Sequence, residues 1–184
     1  MPRATAMRFW LEKMFLSEWR LLIAGGIIGV GLSSEGLLAQ ASMDDRIRRV
    51  AAYFVQHYSR IYGIEPELVE SIVELESKWR PGAISAKGAT GLMQLMPQTA
   101  RRFRVQNRFN IEQNIRGGVE YLAWLHKVFK GDLRLVTAAY VAGESRVIRR
   151  GLAYSCPEVF AYVQQVSRLY RDKLRSKQEK EGRS

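Results

Sequence analysis

The chain has 184 residues and a formal charge of +11 at pH 7, with 29 lysines and arginines against 18 acidic residues. This length suits one domain that buries its own core. The single cysteine, Cys156, excludes an intrachain disulfide, and the two histidines, His57 and His126, lack the spacing of a metal site, so we predict no metal and no cofactor.

The amino-terminal segment has the pattern of an export signal. Four basic residues precede an apolar stretch at 21–32, which has the length of a signal-peptide core and falls short of the ~20 residues that span a bilayer. Ala39-Gln40-Ala41 is a small-x-small cleavage site, so we predict a signal peptide over residues 1–41 and a mature chain from Ser42. An uncleaved membrane anchor is the alternative, because the basic segment is long and contains large aromatic side chains.

Hydrophobic periodicity predicts an almost entirely helical domain over residues 42–174. Pro66 suits the first turn of a helix that we place at Pro66–Trp79. Further helices are predicted at 43–62, 97–103, 111–129, 133–142 and 157–174. The remaining residues, 175–184, are predicted to be a basic, disordered tail.

Glu76 interrupts an apolar face of the helix that begins at Pro66. At about 100° per residue it falls inside a broad apolar stripe, made of Leu68, Val69, Ile72, Val73, Leu75 and Trp79. Glu67, Glu70 and Glu74 fall on the opposite face, which we predict to be solvated. A carboxyl group that faces an apolar interior loses hydration, so the pKa of Glu76 should rise toward neutrality. The alternative is a buried, hydrogen-bonded glutamate with a structural role.

The segment after Glu76 changes character. Pro81-Gly82 and Lys87-Gly88 are turn signals, and Gly91 suggests a second point of tight backbone approach. Gln94 is one uncharged polar side chain among large apolar ones, and its amide could hydrogen-bond sugar hydroxyls or an acetamido group. No aspartate or glutamate occurs from Ser77 through Ile111, so this region cannot supply a second carboxylate.

Several short motifs, taken together, resemble those of a known family. They are Glu76-Ser77, Ser85, the run from Gly88 to Pro97 with Thr99-Ala100, Asn114-Ile115, Gly118, Tyr121-Leu122, Ala139-Tyr140-Val141-Ala142-Gly143, and Glu158 with Tyr162-Val163. This set resembles the catalytic domains of soluble lytic transglycosylases, bacterial enzymes that cut peptidoglycan glycan strands and have a goose-type lysozyme-like fold. The chain departs from the pattern at Val141, where the family has asparagine, and at Val159, where it often has threonine.

The resemblance implies a mainly α, lysozyme-like domain whose groove lies beside the helix that carries Glu76. It makes Glu76 the general acid and base. It also implies that Ser85, Gln94 and Met96 line the groove and contact the sugar. Two residues from the later motifs complete the predicted site: Tyr140 would direct its hydroxyl at Glu76, and Glu158 would lie near the same cleft.

A single catalytic acid has a mechanistic consequence. Most glycosidases use two carboxylates, and the exceptions include enzymes whose substrate supplies the nucleophile. The resemblance implies such a route, in which the 6-hydroxyl of MurNAc attacks and a 1,6-anhydro sugar forms without water. A water-using hydrolase and a non-catalytic peptidoglycan-binding protein remain alternatives. Other acids that could serve as a second carboxylate are Glu112, Glu120, Asp132, Glu144 and Glu158.

Localisation and partners follow from the leader and the charge. A basic chain in the cytoplasm would suggest nucleic acid. An exported chain instead meets the cell wall, whose stem peptides carry carboxylates, so we predict a periplasmic or envelope location and no nucleic-acid partner. Peptidoglycan strands are the predicted partner, with an envelope-spanning secretion or cell-wall machinery as a second candidate. No stable membrane insertion is predicted after cleavage.

Overall fold

The computed structural model describes residues 34–151 and 156–183. Within these ranges β-structure is limited to two isolated antiparallel bridges, Ile84–Thr90 and Thr90–Leu95. The helices are α1 (Ser34–Tyr62), α2 (Pro66–Ser77), α3 (Pro97–Arg102), α4 (Ile111–Val128), α5 (Leu133–Ala142), α6 (Glu144–Arg150) and α7 (Pro157–Glu181). The predicted mainly α class is confirmed.

The predicted helix boundaries hold best where a local signal marks them. Helix α2 begins at Pro66 as predicted, and Asp132 caps α5 by accepting a hydrogen bond from the backbone N–H of Arg134. Helix α2 ends at Ser77, two residues earlier than predicted, because Lys78 and Trp79 adopt left-handed backbone conformations. The short helix α6 was not predicted at all.

The prediction of a disordered tail at 175–184 is wrong for the residues through Glu181, which continue α7 as a helix. Two ion pairs join this part of α7 to α2. Nζ of Lys173 lies 3.0 Å from Oε2 of Glu70, and Nζ of Lys177 lies 2.8 Å from Oε1 of Glu67. The face of α2 that carries these acids is therefore covered by α7 rather than solvated.

One apolar core lies between α2, α4, α5 and α7. Helix α1 packs on α4 and α2, while α7 packs on both α2 and α5. The largest fully buried side chains come from several of these helices and from the segment before α3: Ile72, Leu92, Met93, Leu95, Ile115, Leu122, Leu125 and Tyr162. Full burial of such a side chain contributes about 1.5–3 kcal/mol. The core thus fixes α2, with Glu76 on its last turn, against α7.

The predicted signal peptide lies mostly outside the described residues, which begin at Ser34. Its predicted cleavage site, between Ala41 and Ser42, falls inside α1. Among the helices in the part of the chain that the structure describes, none is long and apolar enough to cross a membrane.

Candidate active site

The end of α2 is held in place by contacts around Trp79. Lys78 (φ 51°) and Trp79 (φ 62°) turn the chain out of the helix, and the N–H of Lys78 donates to the carbonyl of Glu74 at 3.1 Å. The indole Nε1 of Trp79 donates to Oε2 of Glu74 at 2.7 Å, and the guanidinium of Arg48 lies 5.0 Å from the centre of the indole ring. Glu74, which we predicted to be solvated, therefore anchors this turn.

The segment 80–96 forms a compact loop between α2 and α3. Thr90 and Leu95 exchange two backbone hydrogen bonds, of 3.2 and 3.0 Å. Gly91 has a φ of +85°, and a Cβ there would lie 2.2 Å from Nδ2 of Asn114. Only glycine fits this position, because it tolerates both the left-handed conformation and the close approach.

The side chain of Asn114, in α4, holds this loop in place through hydrogen bonds. Its side chain is 1% exposed, and its Oδ1 accepts from the N–H of Met93 at 2.7 Å. Its Nδ2 donates to the carbonyls of Thr90 and Arg108 at 3.0 and 2.8 Å. Gly118 adds a close approach, since a Cβ there would lie 2.3 Å from Sδ of Met93. These two motif residues act as scaffold for the loop.

Glu76 lies partly buried on the last turn of α2, and no cation pairs with it among the described residues. The hydroxyl of Tyr162, from α7, donates to its Oε1 at 2.7 Å. Burial raises the pKa of Glu76 from its ordinary value of 4.5 to about 7, and the hydrogen bond from Tyr162 opposes part of that rise. Near neutral pH this carboxyl can therefore both hold and release a proton.

The expectation that Tyr140 directs its hydroxyl at Glu76 is wrong. The hydroxyl of Tyr140 donates instead to the carbonyl of Met93 at 2.7 Å, and Tyr162 bonds to Glu76. Met93 is fully buried, so its carbonyl needs a donor inside the protein, and Tyr140 supplies one. Glu76 nevertheless acts on Tyr140: burial first, and then the charge of Glu76, raise the pKa of Tyr140 well above its ordinary value.

A cavity of about 780 Å³ lies between the loop, α3, α5, α6 and the first turn of α7. Four of the predicted site residues line it: Gln94, Met96, Tyr140 and Glu158. Glu76 and Ser85 are not among the lining residues, whereas Tyr140, on which the charge of Glu76 acts, is one of them. A volume of this order suits a ligand of a few rings.

The side chains that line the cavity differ in the hydrogen-bonding groups or apolar surface that they present to a bound molecule. Gln94 uses its Nε2 to donate to the carbonyls of Ala83 and Gly91, at 3.1 and 2.9 Å, which leaves its carbonyl oxygen for a bound molecule. Met96 is 42% exposed and presents an apolar surface. Glu158 accepts a hydrogen bond from Sγ of Cys156 at 2.6 Å. Outside the cavity, the hydroxyl of Ser85 accepts from the N–H of Ala89 at 3.0 Å.

The five acids that could have served as a second carboxylate have other partners. None of them hydrogen-bonds to Glu76 within the described ranges. The observed pairs are Glu112 with Tyr58, Glu120 with Arg116, Asp132 with Arg134, Glu144 with Arg102, and Glu158 with Cys156.

Sequence reasoning missed two parts of this site. It assigned no role to Tyr162, although Tyr162 follows Glu158 by four residues and so shares its face of α7. It also missed α6, which begins directly after Gly143 (φ +88°) and brings Arg146 and Arg149 to the cavity. Seven residues are too few for a clear helical period.

Comparison with known proteins places this geometry in a family. The model of the transglycosylase SLT domain matches residues 54–155, a span that contains Glu76, the loop and every helix from α2 to α6. The chain belongs to the transglycosylase SLT domain family.

Relatives of this SLT domain include a transglycosylase of Enterobacteria phage PRD1, 39% identical over 85 residues, which are 46% of this chain and 32% of the phage protein. Membrane-bound lytic murein transglycosylase F of Vibrio parahaemolyticus is 41% identical over 81 residues, 44% of this chain and 15% of that protein. The chain thus spans about a third or less of the length of these relatives.

Two solved structures share the fold. An inactive glutamate-to-glutamine mutant of lytic transglycosylase Slt from Pseudomonas aeruginosa is 30% identical, with a TM-score of 0.58 over 67% of this chain and 24% of the other. The 70 kDa soluble lytic transglycosylase from Escherichia coli is 26% identical, with a TM-score of 0.57 over 66% of this chain and 24% of the other. The predicted lysozyme-like SLT fold is confirmed.

Proposed function

We propose that this SLT-domain protein is a lytic transglycosylase that cleaves the β-1,4 bond between MurNAc and GlcNAc in peptidoglycan. The observation that carries the proposal is the environment of Glu76: a partly buried carboxyl group with a pKa of about 7, bonded to Tyr162 and close to the Tyr140 wall of a cavity of about 780 Å³. A carboxyl group with a pKa near the working pH is suited to give and then retrieve a proton.

The reaction needs one acid that acts twice. Protonated Glu76 gives its proton to the glycosidic oxygen as the bond from that oxygen to C1 of MurNAc breaks. Ionised Glu76 then takes the proton of the MurNAc 6-hydroxyl, whose oxygen forms a bond to C1. The products are a 1,6-anhydro-MurNAc end and a GlcNAc with a free 4-hydroxyl, and Glu76 returns to its protonated form without consuming water.

The engagement of the other acids supports this single-acid route. An inverting glycosidase needs a second carboxylate about 6.5–9.5 Å from the first, and a retaining one needs it at about 5–5.5 Å. The five candidates bond to other side chains, and Glu144 is neutralised by Arg102 at 3.2 Å. We assign Ser85, Gln94, Met96, Tyr140 and Glu158 to substrate binding, with the carbonyl oxygen of Gln94 as a sugar acceptor.

Mass spectrometry of the fragments released from purified cell walls tests the proposal. We expect fragments that end in anhydro-MurNAc. Fragments with reducing ends, heavier by one water, would instead show a hydrolase of the same fold. Binding to the walls without release of fragments would show a peptidoglycan-binding protein, and either result would contradict the transglycosylase assignment.

We also propose a cell-envelope location, with residues 1–41 as an export signal. A relative from Vibrio parahaemolyticus is named as a membrane-bound enzyme, which agrees with an envelope site of action. Expression with the native leader, followed by intact-mass measurement, tests this point. We expect a chain that begins at Ser42 outside the inner membrane, whereas full-length protein in the membrane fraction would show an anchor. An envelope-spanning secretion or cell-wall machinery remains our proposed additional partner.

A further inference from the structure

The cavity is bordered by more positive charge than a neutral sugar requires. Its lining includes Lys87 from the loop, Arg101 from α3, and Arg146 and Arg149 from α6, which we call the cationic rim. A further arginine of the cavity, Arg102, is already paired with Glu144 at 3.2 Å. Within the described ranges, Arg101, Arg146 and Arg149 form no ion pair with a carboxylate.

Two members of the cationic rim repel each other across the cavity. Lys87 lies in the loop that follows α2, and Arg146 lies about 60 residues later in α6. Burial first, and then the positive charge of Arg146, lower the pKa of Lys87. An anion bound between these two side chains would relieve their repulsion.

Cations elsewhere on the molecule differ from the arginines of the cationic rim because they have carboxylate partners. Lys173 and Lys177 of α7 each have a glutamate of α2 as partner, and Arg116 and Arg134 have acids on their own helix or its cap. These cations are therefore paired within the chain. The arginines of the cationic rim point to a partner outside the chain.

We propose that the cationic rim binds carboxylates of the stem peptides that peptidoglycan strands carry, so that the protein prefers peptide-bearing strands to bare glycan. This inference rests on the proposed function, since it concerns the substrate of the same cavity. Glycan hydroxyls and acetamido groups need hydrogen-bond partners but no net positive charge. Guanidinium groups instead match carboxylates, with which they form paired, charge-assisted hydrogen bonds.

The test compares strands that carry stem peptides with strands in which each peptide has been removed, leaving the single carboxylate of the MurNAc lactyl group in its place. Glycan strands are purified with stem peptides intact, and half of the sample is stripped by an amidase. The ratio of kcat/KM on intact strands to kcat/KM on stripped strands is then measured for the full chain. We expect a ratio well above one for the wild type, and a lower ratio at high salt, because salt screens charges at a solvated rim.

The variants Arg146→Gln and Arg149→Gln should each lower this ratio by about tenfold, mainly through KM, which is the scale of one charge-assisted hydrogen bond. Arg146→Lys keeps the charge and should retain most of the preference. Arg150→Gln is the matched control: it lies on the same helix and is exposed, but it does not line the cavity, so its ratio should equal that of the wild type.

The outcomes separate this inference from the proposed function. A wild-type ratio near one, or equal ratios in all variants, would overturn the inference while cleavage itself stands. If the wild type cuts neither substrate, the proposed function fails, and binding of the two strand types by fluorescence polarisation decides the inference in the same way. Inhibition by polyphosphate that matches inhibition by free stem peptide at equal charge would show an unselective polyanion surface, and would also overturn it.

Discussion

The two faces of α2 carry the same type of side chain, a glutamate, and shift its pKa in opposite directions. Glu67 is 8% exposed, and its pKa is lowered, because Lys177 at 2.8 Å and the nearby Lys173 outweigh the effect of burial. Burial also acts on the carboxyl group of Glu76, but no cation pairs with it within the described residues, and its pKa rises to about 7. Burial raises the pKa of both carboxyl groups, so the lysine partners of Glu67 account for the opposite direction of its shift.

One helix supplies the partners on both faces. Helix α7 gives Glu76 the neutral hydroxyl of Tyr162, and it gives Glu67 and Glu70 the ammonium groups of Lys177 and Lys173. Fifteen residues of helix separate Tyr162 from Lys177, roughly 22 Å along its axis. Helix α7 therefore gives Glu76 a neutral partner and gives the other two glutamates cationic partners.

The sharpest test of this comparison is Glu76→Gln. Glutamine keeps the shape of the side chain but cannot give and retrieve a proton, so we expect strand cleavage to fall by about 10²–10⁴-fold or more. Glu70→Gln, which alters the paired face, is the control and should retain activity. Release of anhydro fragments from purified walls measures both. Equal losses in the two variants would show that the difference between the faces does not govern catalysis.

Glu76→Gln should also change how the free energy of unfolding depends on pH. The folded state holds the Glu76 proton more tightly than the unfolded chain, so the wild type should lose stability as pH rises from 4.5 to about 7. A pKa difference of this size corresponds to roughly 3 kcal/mol as an upper bound. Urea unfolding across this pH range should show the loss in the wild type and not in Glu76→Gln. A wild-type curve that stays parallel to the variant would contradict the raised pKa.

Tyr162→Phe tests the contact on the unpaired face. Its hydroxyl lowers the pKa of Glu76, so removal should raise that pKa further and move the high-pH fall of kcat/KM to higher pH. We expect about a tenfold loss of rate from the less well positioned carboxyl group. Tyr140→Phe is the matched control, because its hydroxyl bonds to Met93, and its pH profile should keep the wild-type position. If the pH profile shifted in Tyr140→Phe and not in Tyr162→Phe, Tyr140 rather than Tyr162 would be the hydroxyl that controls the pKa of Glu76.

Lys177→Met tests the paired face. Glu67 contributes stability above its ordinary pKa of 4.5, and that contribution disappears as pH falls through its lowered folded value. The variant should therefore be less stable than the wild type at neutral pH, by a small amount because Lys177 is exposed to solvent, and the difference should shrink in acid. Thermal unfolding measures both effects. Arg175→Met, on an exposed part of the same helix, should match the wild type.

The smallest effect is expected from Val141→Asn, which touches neither face of α2. Val141 lines the cavity, where it offers no hydrogen bond, and asparagine would restore the family amide. We expect cleavage of purified strands to stay unchanged or to rise by less than about 10²-fold, the scale on which a misplacement of about 1 Å acts. If the wild type binds glycan strands without cleaving them and Val141→Asn cleaves them, the valine is the residue that prevents catalysis.

The sequence determined those features that depend on neighbours along the chain. Pro66 and Asp132 mark where helices begin, and the helical phase of Glu76 among apolar residues predicts its raised pKa. Gly91 predicts a tight backbone approach in the loop. Each of these depends on backbone sterics, capping or a period of 3.6 residues, which act over only a few residues.

Only the tertiary structure decided which side chains meet across the fold. The sequence could not distinguish Tyr162 from Tyr140 as the donor to Glu76, because both belong to family motifs and both lie far from Glu76 along the chain. The sequence predicted a disordered tail because it does not show that Lys173 and Lys177 pair with glutamates of α2. The acid-bearing face of α2 was likewise predicted to be solvated, since a carboxylate shows its partner only when a distant helix packs against it.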